Sequence, residues 1–599
     1  MKKKVSDIVV EFLVKKGLTQ VFGVTGGGAM HLNDSFSKNT KIKFVYTHHE
    51  QAAAMAADAY YREKTKPAII HTTSGPGGTN ALTGVVGAWI DSIPVIIISG
   101  QVPLTQQINK TNTRQIGVQE ANIIEIIKSS TKYSQTLTDP NKTFDVLETA
   151  FKMMLEGRPG PVWIDIPLDI QAKKILTKKI IKKTNLKKSS EIGISNKIKK
   201  MLNLISNSKR PVIIAGNGIH ISKSKNEFYN FISKVKCPII TSWNGSDLIN
   251  NNHDLYIGRM GLFGDRPSNL AAQNSDLMIV LGSRLSVPQI GYITKDFAKN
   301  AKKIIIDIDK NELNKNFLSK INIKFNCDLN FFFKKINLVL KKKGSLFKFS
   351  KWTKITQEWK NKYPVYNENQ SKNEKNINSF YFIKKLSKVL NSHSTVVTDM
   401  GTSFTCTMQT MEINDHFKQR LFTSSGLAAM GFGLPGAIGA SFANLKKKIV
   451  CITGDGGFMF NIQELQTIKH HKLPIKIFVL ENKGYLTMQL MQKKNFKKLT
   501  GSDVKSGISF PKIKNIAKSF GLDYIKLNKK KIENQIKQVL SNRKPVLIEV
   551  NMPKLQSLVP RVQAQLLKDG SFANPEFDNL YPHLHKKLLE EERFKAKFK

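Results

Sequence analysis

Short apolar runs alternate with amphipathic stretches along almost the whole chain. The runs are a few residues long and are bounded by Gly, Pro, Asn or Asp, which is typical of buried strands. The clearest lie at 44–46, 68–70, 95–98, 211–215, 277–281, 303–308, 448–453 and 475–480. Segments with apolar residues at helical spacing, such as 461–471, separate them. Strands alternating with helices in this way predict an α/β protein with doubly wound parallel sheets.

The N-terminal segment has the pattern of an amphipathic helix and lacks the pattern of a signal peptide. Acidic residues interrupt it at Asp7 and Glu11, and its apolar residues fall on one helical face: Val5, Ile8, Val9, Phe12 and Leu13. No apolar run approaches the ~20 residues that a membrane-spanning helix needs. We therefore expect no membrane partner.

Polar segments divide the chain of 599 residues, which is too long for a single hydrophobic core. We expect blocks at 1–175, 195–345 and 379–555, followed by a C-terminal tail at 556–599. A lysine-rich linker at 173–188 and an Asn/Lys-rich stretch at 360–378 mark the boundaries. The tail shows no clear strand, and its end is charged with a helical pattern.

Composition excludes few functions, despite a net charge of +49. Of the 94 basic residues, 83 are Lys and 11 are Arg, and the lysines are spread along the chain. Nucleic-acid binders usually gather Arg, Lys and aromatic residues on one face, so we expect no nucleic-acid partner. The four cysteines are scattered among apolar runs without metal-ligand spacing: Cys237, Cys327, Cys406 and Cys451. Reduced structural thiols and a cytoplasmic location follow.

A glycine-rich turn after the predicted strand at 448–453 is the strongest chemical signal. It comprises Gly454, Asp455, Gly456 and Gly457, and Asn482 follows Gly456 by 26 residues, after the next predicted strand. Both polar side chains therefore fall at the C-terminal ends of neighbouring parallel strands, where open α/β sheets bind ligands. Glycines let backbone N–H groups approach a diphosphate, and oxygen ligands suit Mg2+. A glycine-rich turn alone often only ends a strand, whereas the distant Asn favours a cofactor site.

A second candidate is Glu50, which stands between a predicted strand and an alanine-rich helix. A Glu at a helix N-terminus can simply interact with the helix dipole. The segments on either side, 22–28 and 73–80, are both rich in glycine. This setting favours a binding or catalytic role over the dipole alone.

These segments together resemble the acetolactate synthase family of thiamine diphosphate enzymes. The resemblance rests on 22–28, 47–58, 73–80, 157–167, 425–435 and the turn at 454–457 with Asn482, in the family's order. It implies three doubly wound domains: an N-terminal pyrimidine-binding domain, a central domain of the FAD or nucleotide type, and a C-terminal diphosphate-binding domain. The family also implies a homodimer or homotetramer whose active site lies at a subunit interface.

The resemblance assigns roles to residues at both ends of the cofactor. Glu50 would hydrogen-bond the aminopyrimidine and promote proton removal, and Met430 would hold the cofactor in its bent shape. Asp455, Asn482 and the carbonyl of Gly484 would hold Mg2+ against the diphosphate. The remaining cofactor-binding residues implied are Gly26, Gly27, Gly75, Asn80, Gly401, Thr402, Ser403, Ala428, Gly454, Gly456, Gly457 and Tyr485.

The central block resembles the domain that holds FAD in acetolactate synthases, and two alternatives stay open for it. Gly216, Gly218, Arg284 and Asp307 fall where that domain approaches the flavin. The run after Arg284 reads Leu-Ser-Val-Pro and departs from the family's Phe-Asp-Asp-Arg. FAD would have a structural role, and many relatives keep this domain without flavin.

Departures on the acceptor side leave the second substrate open. Val118 replaces an aromatic residue before Gln119, and Met491 stands where the family has a Trp. Lys132 lies near the position of a family lysine. The segment 26–34 and the tail near 559–562 resemble a branch associated with polysaccharide biosynthesis, which implies a keto-sugar nucleotide acceptor.

The resulting expectation is a decarboxylating carboligase that transfers a two-carbon unit from pyruvate to a second carbonyl compound. The alternatives are transfer to a keto-sugar nucleotide and simple decarboxylation of a 2-oxo acid to an aldehyde. A non-catalytic relative would be expected to lose Glu50, Asp455 or Asn482, and all three are present.

Overall fold

The protein, seen here in a computed structural model, contains three six-stranded parallel sheets. The structure describes residues 1–108, 111–178, 184, 186–187, 189–316, 318, 320–343, 347–390, 392–563, 565–566, 569–573 and 576–596. All three sheets have helices on both faces, as the alternation of strands and helices predicts. The predicted fold class is confirmed.

The first sheet occupies the N-terminal part of the chain. The strands are β1 (Lys2–Lys4), β2 (Gln20–Gly23), β3 (Lys43–Tyr46), β4 (Ile69–Thr72), β5 (Ile96–Gln101), β6 (Tyr133–Thr136), β7 (Val162–Pro167) and β8 (Lys174–Leu176). The helices are α1 (Val5–Lys15), α2 (Met30–Lys38), α3 (Glu50–Lys64), α4 (Pro76–Ile90), α5 (Ile123–Ile127), α6 (Thr143–Leu155) and α7 (Leu168–Ala172). The sheet has the order β3-β2-β4-β5-β7-β6, and β1 pairs with β8 in a separate antiparallel ribbon.

The central sheet has the order β11-β10-β9-β12-β13-β14. Its strands are β9 (Pro211–Ala215), β10 (Ile239–Thr241), β11 (Tyr256–Arg259), β12 (Leu277–Leu281), β13 (Lys302–Asp307) and β14 (Ile323–Asn326). The helices are α8 (Ile194–Ser206), α9 (Gly218–Ile221), α10 (Lys225–Val235), α11 (Arg266–Gln273), α12 (Val287–Ile290), α13 (Lys310–Leu313), α14 (Leu329–Lys343) and α15 (Ser350–Lys362).

The third sheet has the order β16-β15-β17-β18-β20-β19, and the tail follows it. The strands are β15 (Ser394–Thr398), β16 (Arg420–Phe422), β17 (Lys448–Gly454), β18 (Lys476–Glu481), β19 (Asp523–Lys526), β20 (Val546–Asn551), β21 (Gln565–Leu566) and β22 (Phe572–Ala573). The helices are α16 (Ser379–Val389), α17 (Thr402–Thr410), α18 (Gly433–Ala443), α19 (Asp455–Met459), α20 (Glu464–His470), α21 (Leu486–Phe496), α22 (Ile513–Ser519), α23 (Ile532–Ser541) and α24 (Lys586–Ala596).

The first and third sheets share one strand order, and the central sheet has another. Numbered within each sheet, both outer sheets read 2-1-3-4-6-5 and the central one reads 3-2-1-4-5-6. The second order is that of sheets that bind dinucleotides. Ligand sites are therefore expected beyond the C-terminal strand ends of all three sheets.

Helices α3 and α18 join the first and third sheets. Helix α3 is rich in alanine, and a Cβ atom at Gly439 of α18 would overlap the carbonyl oxygen of Ala56. Small side chains thus let the two helix backbones touch, and their apolar residues share one core cluster. This contact fixes the ends of α3 and α18 that lie at the sheet edges.

Three segments differ from the sequence prediction. Residues 174–176, placed in a linker, form β8 because β1 offers an unpaired edge; 179–183, 185 and 188 of that linker lie outside the described residues. The tail, predicted to lack strands, forms the short ribbon of β21 and β22 and ends in α24 as expected. The tail and α15 pack against the central sheet, beyond the central block's expected limits, through residues such as Trp352, Trp359 and Leu580.

All four cysteines are buried and free, as the sequence indicates. Burial raises the pKa of each thiol above its usual value. In the described part of the chain, no helix combines the length and apolar character needed to cross a membrane.

Candidate functional site

Asp455 lies at the end of β17, where its carboxylate is enclosed by backbone N–H groups. The residue is 3% exposed. Its Oδ2 accepts hydrogen bonds from the N–H groups of Asn482 (3.2 Å), Lys483 (2.6 Å) and Gly484 (3.2 Å), and its Oδ1 accepts one from Gly456 (2.8 Å). The Asn482 side-chain amide donates to the Gly484 carbonyl oxygen at 3.0 Å. The structure therefore brings together the three residues predicted to hold a metal ion.

The chemistry of this loop fits a hard divalent cation. Burial raises the pKa of Asp455 to about 6, although the four N–H groups act to lower it. A nearby cation would favour the ionised carboxylate, and carboxylate, amide and carbonyl oxygens are ligands that Mg2+ accepts. Within the described residues no cluster of three or more His, Cys, Asp or Glu side chains could hold a metal ion. The site would rely on one carboxylate and neutral oxygens.

Open space adjoins two glycines next to this loop. A Cβ atom at Gly401 or at Gly454 would meet no heavy atom within 4 Å. Gly401 has a φ of +75° and caps α17, whose first residues are Thr402 and Ser403. The first N–H groups of a helix are anion ligands, so this arrangement suits a diphosphate. Two further glycines have no open space beside them: Tyr485 fills the space beside Gly456, and Asp399 fills the space beside Gly457.

Asp399, which the sequence analysis missed, organises the loop that carries Met430. Its buried carboxylate accepts hydrogen bonds from the N–H groups of Gly431 (2.9 Å) and Gly433 (3.2 Å). Burial raises its pKa. Ala428 has a φ of +58°, so the loop turns sharply before the half-buried Met430. A second Asp at the end of an apolar strand, two residues before Gly401, was the available signal.

Glu50 is the first residue of α3, at the C-terminal edge of the first sheet. It is 7% exposed, and its Oε2 accepts a hydrogen bond from the side-chain amide of Asn80 at 3.0 Å. His49 caps the helix by accepting from the N–H of Gln51 at 3.0 Å. The sequence prediction that Glu50 and Asn80 share a site agrees with this contact.

Glycines follow β2 and β4, the strands next to the sheet edge where Glu50 lies. Gly75 has a φ of +57°, and a Cβ atom there would overlap the carbonyl oxygen of Gln119. Gly26 packs on Thr73, whereas a Cβ atom at Gly27 would meet nothing within 4 Å. The predicted residues Gly26, Gly27, Gly75 and Gln119 therefore surround the end of the sheet where Glu50 lies.

Two residues of the third sheet's helical layer contact α3 or the turn that precedes it. The carboxylate of Glu464 accepts a hydrogen bond from the N–H of His48 at 3.0 Å, two residues before Glu50. The amide of Asn461 donates to the Gly431 carbonyl oxygen at 2.8 Å and contacts the Met55 sulfur at 3.8 Å. Neither was foreseen, because a polar residue in an amphipathic segment gives no sign of its partner in another domain.

The residues predicted on the acceptor side are scattered. Val118 is 83% exposed, and Met491 on α21 is 41% exposed. Lys132 precedes β6, at the opposite edge of the first sheet from Glu50, and its ammonium donates to the Glu156 carbonyl oxygen. A substrate role for Lys132 stays a prediction. No hydrogen bond or ion pair between described residues joins Glu50 to Asp455 within one chain.

A large cavity lies between the first and central sheets. It has a volume of about 660 Å3 and is lined by Gly218, Arg284 and Asp307, among others. Gly216 and Gly218 pack against the backbone of Gly282, which brings the ends of β9 and β12 together. Burial raises the pKa of Asp307 to about 6. Three of the four residues predicted to approach a flavin line one cavity, and Gly216 supports its floor.

Comparison with known proteins agrees with this geometry. Three family models match: "Thiamine pyrophosphate enzyme, N-terminal TPP binding domain" at 3–124, its central domain at 198–335 and its C-terminal TPP binding domain at 399–550. Acetolactate synthase 1, chloroplastic, of Nicotiana tabacum is 30% identical, with 94% of this chain and 83% of the relative aligned. The chain belongs to the thiamine pyrophosphate enzyme family.

Within this family the enzyme is of the acetolactate synthase type. The large subunit from Lactococcus lactis is 30% identical over 96% of this chain and 98% of the relative. The isozyme 1 large subunit of Escherichia coli is 29% identical over 93% and 95%. The matches cover all three sheets, and both carboxylates, Glu50 and Asp455, fall inside the two domains described as binding thiamine pyrophosphate.

Proposed function

We propose that this thiamine pyrophosphate enzyme decarboxylates pyruvate, or a similar 2-oxo acid, and transfers the two-carbon acetyl unit to a second carbonyl compound. The observation that carries the proposal is the pair of carboxylate sites at C-terminal sheet edges. One is Asp455 with Asn482 and Gly484, and the other is Glu50 with Asn80. Thiamine pyrophosphate, when bound, supplies the carbon nucleophile and accepts the electrons that decarboxylation releases.

The diphosphate end would be held by Mg2+ and by the start of α17. Asp455, Asn482 and the Gly484 carbonyl would be the protein ligands of the ion, because hydrogen bonds already bring these three residues together. Gly401, Thr402 and Ser403 would present N–H groups to the phosphate oxygens. Gly454, Gly456, Gly457, Ala428 and Tyr485 would line the same end.

Glu50 would move the proton that starts the reaction. Asn80 holds its Oε2, so Oε1 is the oxygen left to face the aminopyrimidine ring. A carboxylate at that ring would favour the tautomer that removes the reactive proton. Met430, anchored through Gly431 to Asp399, would support the bent cofactor with an apolar side chain.

We propose a homodimer, or a tetramer of two dimers, with each site built from two subunits. Support comes from the 83% exposure of Val118, next to Gln119. Co-expression of Glu50→Gln and Asp455→Ala subunits tests this. Mixed dimers should regain one of two active sites, whereas sites built within one chain would leave them inactive.

FAD is proposed as a structural cofactor in the central cavity. Gly218, Arg284 and Asp307 line it, and an acidic residue at a strand end commonly binds a ribose hydroxyl. Arg158 also lines the cavity, ion-paired with Asp309 (3.0 Å) and Glu312 (2.9 Å). An absorbance band near 450 nm in the purified protein would support flavin binding, and its absence after incubation with FAD would refute it.

One experiment with three possible outcomes identifies the acceptor. Labelled pyruvate, incubated with keto acids and with keto-sugar nucleotides, should give a product that contains two labelled carbons joined to the acceptor. Acetaldehyde as the sole product with every acceptor would indicate simple decarboxylation instead. The four free cysteines are consistent with a cytoplasmic location, which we include in the proposal.

A further inference from the structure

The chain returns to the metal loop after α21. Residues 500–507, which we call the return loop, fold back beside the start of this helix, and Gly484 forms an antiparallel bridge with Asp503. A capping box closes the return loop: the Ser506 N–H donates to Asp503 Oδ1 at 2.9 Å, and the Asp503 N–H donates to Ser506 Oγ at 2.9 Å. The return loop is therefore a compact unit that lies against a residue predicted to bind the metal ion.

The carbonyl oxygen of Ser502 joins the return loop to the metal loop. Ser502 is 0% exposed, and its carbonyl oxygen accepts hydrogen bonds from the Tyr485 N–H at 2.9 Å and from the side-chain amide of Gln489 at 2.7 Å. Gln489 lies on α21 and is 4% exposed. A carbonyl oxygen has two lone pairs, so these two donors occupy it, and Gln489 helps to decide where it lies.

These contacts fix the direction of the Gly484 carbonyl group. The Gly484 C=O and the Tyr485 N–H belong to one trans peptide unit. Such a unit is planar, and its C=O and N–H groups point to opposite sides. The hydrogen bond from Tyr485 to Ser502 therefore aims the Gly484 oxygen away from the return loop, toward the Asn482 side chain, which donates to it at 3.0 Å. The Gly484 N–H is held by Asp455 at 3.2 Å, so both peptide units that flank Gly484 are held.

The glycine at position 484 agrees with this arrangement. A Cβ atom there would overlap both the side-chain nitrogen of Gln489 and the carbonyl oxygen of Ser502. Only a residue without a side chain lets the return loop approach the metal loop so closely. Gly484 and Gln489 therefore belong to one arrangement that holds the peptide unit next to the metal site.

We propose that Gln489 is a positioning residue that, through Ser502, aims the Gly484 carbonyl oxygen at the divalent cation and sets the preference of the site for Mg2+ over Ca2+. Mg2+ needs near-octahedral ligands at short distances, whereas Ca2+ accepts longer and more variable ones. A carbonyl group held in one direction suits the smaller ion. The inference rests on the proposed function, because it takes Gly484 as a ligand of the ion that holds thiamine pyrophosphate.

The first test is Gln489→Met, which keeps the length of the side chain and removes its amide. The affinities of the full-length protein for Mg2+ and for Ca2+ are measured by calorimetric titration with excess thiamine pyrophosphate and without pyruvate. We expect the Mg2+ affinity to fall about 10- to 100-fold, the usual effect of losing a partner of a metal ligand. The Ca2+ affinity should fall by less than about threefold, because that ion tolerates a displaced carbonyl oxygen.

Gln492→Met is the matched control. Gln492 also joins α21 to the return loop: its side chain donates to the Thr500 carbonyl oxygen and accepts from the Ser502 hydroxyl, both at 2.9 Å. These hydrogen bonds are to atoms other than the Ser502 carbonyl oxygen. We therefore expect Gln492→Met to keep the wild-type ratio of Mg2+ to Ca2+ affinity. Thermal unfolding of the metal-free proteins shows that each variant is folded.

Gly484→Ala is a second, independent variant. Its methyl group would overlap the same two atoms of Gln489 and Ser502, so the Mg2+ affinity should again fall more than the Ca2+ affinity. Combined with Gln489→Met, the loss of Mg2+ affinity should be smaller than the product of the two single losses, because both changes act on one peptide unit. Gly484→Ala decides the question by the same comparison of ions if Gln489→Met does not fold.

The outcomes are distinct. Unchanged Mg2+ affinity in Gln489→Met, equal losses for the two ions, or the same change of ratio in Gln492→Met would each overturn the proposal. Failure of the wild type to bind Mg2+ together with thiamine pyrophosphate would overturn both this inference and the proposed metal site. Release of CO2 from pyruvate is measured separately on the wild type: its absence, with Mg2+ preference still dependent on Gln489, would reject the proposed reaction and retain the positioning role.

Discussion

The two outer sheets have the same strand order, but the buried carboxylates at their edges accept hydrogen bonds from different donors. Both carboxylates begin a helix at a C-terminal sheet edge: Glu50 in the first sheet and Asp455 in the third. Asp455 accepts four backbone N–H groups, whereas Glu50 accepts one side-chain amide. Backbone donors hold a carboxylate in one place, and a carboxylate with few donors can exchange a proton. We propose that the same architecture provides a cofactor anchor at one edge and a proton carrier at the other.

Removing the anchor should have the largest effect. We expect Asp455→Ala to lose activity below detection and to weaken Mg2+-dependent binding of thiamine pyrophosphate by more than about 100-fold, since even indirect partners of a metal site change affinity by 10- to 100-fold. Calorimetric titration of cofactor with Mg2+ measures this. Asp523→Ala, an exposed acid of the same sheet, is the control. Cofactor affinity retained in Asp455→Ala would contradict the anchor role.

Removing the proton carrier should leave the anchor intact. In Glu50→Gln the Asn80 hydrogen bond has an acceptor oxygen, so the pocket should keep its shape. We expect wild-type cofactor binding within a few fold, and proton exchange at the reactive carbon slower by about 100-fold or more, the range of a lost acid–base group. Exchange is followed by NMR in deuterated buffer. Undiminished exchange would remove Glu50 from the mechanism.

The anchor should also depend on pH. The pKa of Asp455 is raised to about 6 in the metal-free protein, so protons compete with the cation below that pH. We expect the apparent Mg2+ affinity to fall about tenfold per pH unit below pH 6 and to level off above pH 7. A matched titration with Asp523→Ala should give the same curve as the wild type. A flat profile between pH 5 and 7 would place the ion elsewhere.

Local pattern sufficed for much of the fold. The strands predicted at 211–215 and 277–281 have those bounds, because runs of Ile, Val and Leu between turn residues form strands on local grounds alone. The pairing of β1 with β8 and the tail ribbon were missed, since polar edge strands depend on a distant partner. The proximity of Asp455, Asn482 and Gly484 could be predicted because the spacing of the motif reflects one strand-helix-strand unit.

The unforeseen site residues depend on contacts between segments that are far apart in the sequence. Asp399 holds the loop at Gly431 and Gly433, and Glu464 holds the turn before α3. Lys132, a basic residue near a family position, lies at the opposite edge of its sheet from Glu50 and donates to the Glu156 carbonyl oxygen. Residue type and spacing identify a local motif, whereas long-range packing decides which other side chains reach it.

Glu464 tests how the two outer sheets are linked, and the expected effect is the smallest. It belongs to the third sheet's helical layer and holds the turn before the helix that begins with Glu50. It is 0% exposed, accepts hydrogen bonds from the His48 N–H (3.0 Å) and the Thr467 hydroxyl (2.7 Å), and burial raises its pKa to about 7. A raised pKa means that its contribution to stability is present below pH 4 and is lost as pH rises through 7.

In Glu464→Gln the side chain at this position does not titrate. The stability of the variant relative to the wild type should therefore increase as pH rises. From a pKa of 4.5 to about 7, the free energy of unfolding should shift by about 2.5 kcal/mol in the variant's favour between pH 5 and 8.5. Thermal unfolding at both pH values measures this shift.

Helix α18 adds no titratable side chain, so His48, His49 and Glu50 are the neighbours on α3 and its preceding turn that could contribute. Cofactor affinity should change by less than about threefold, because the carboxylate of Glu50 keeps its Asn80 contact. A stability difference independent of pH would show that Glu464 has the same pKa in the folded and unfolded protein, and would reduce its role to packing between the two sheets.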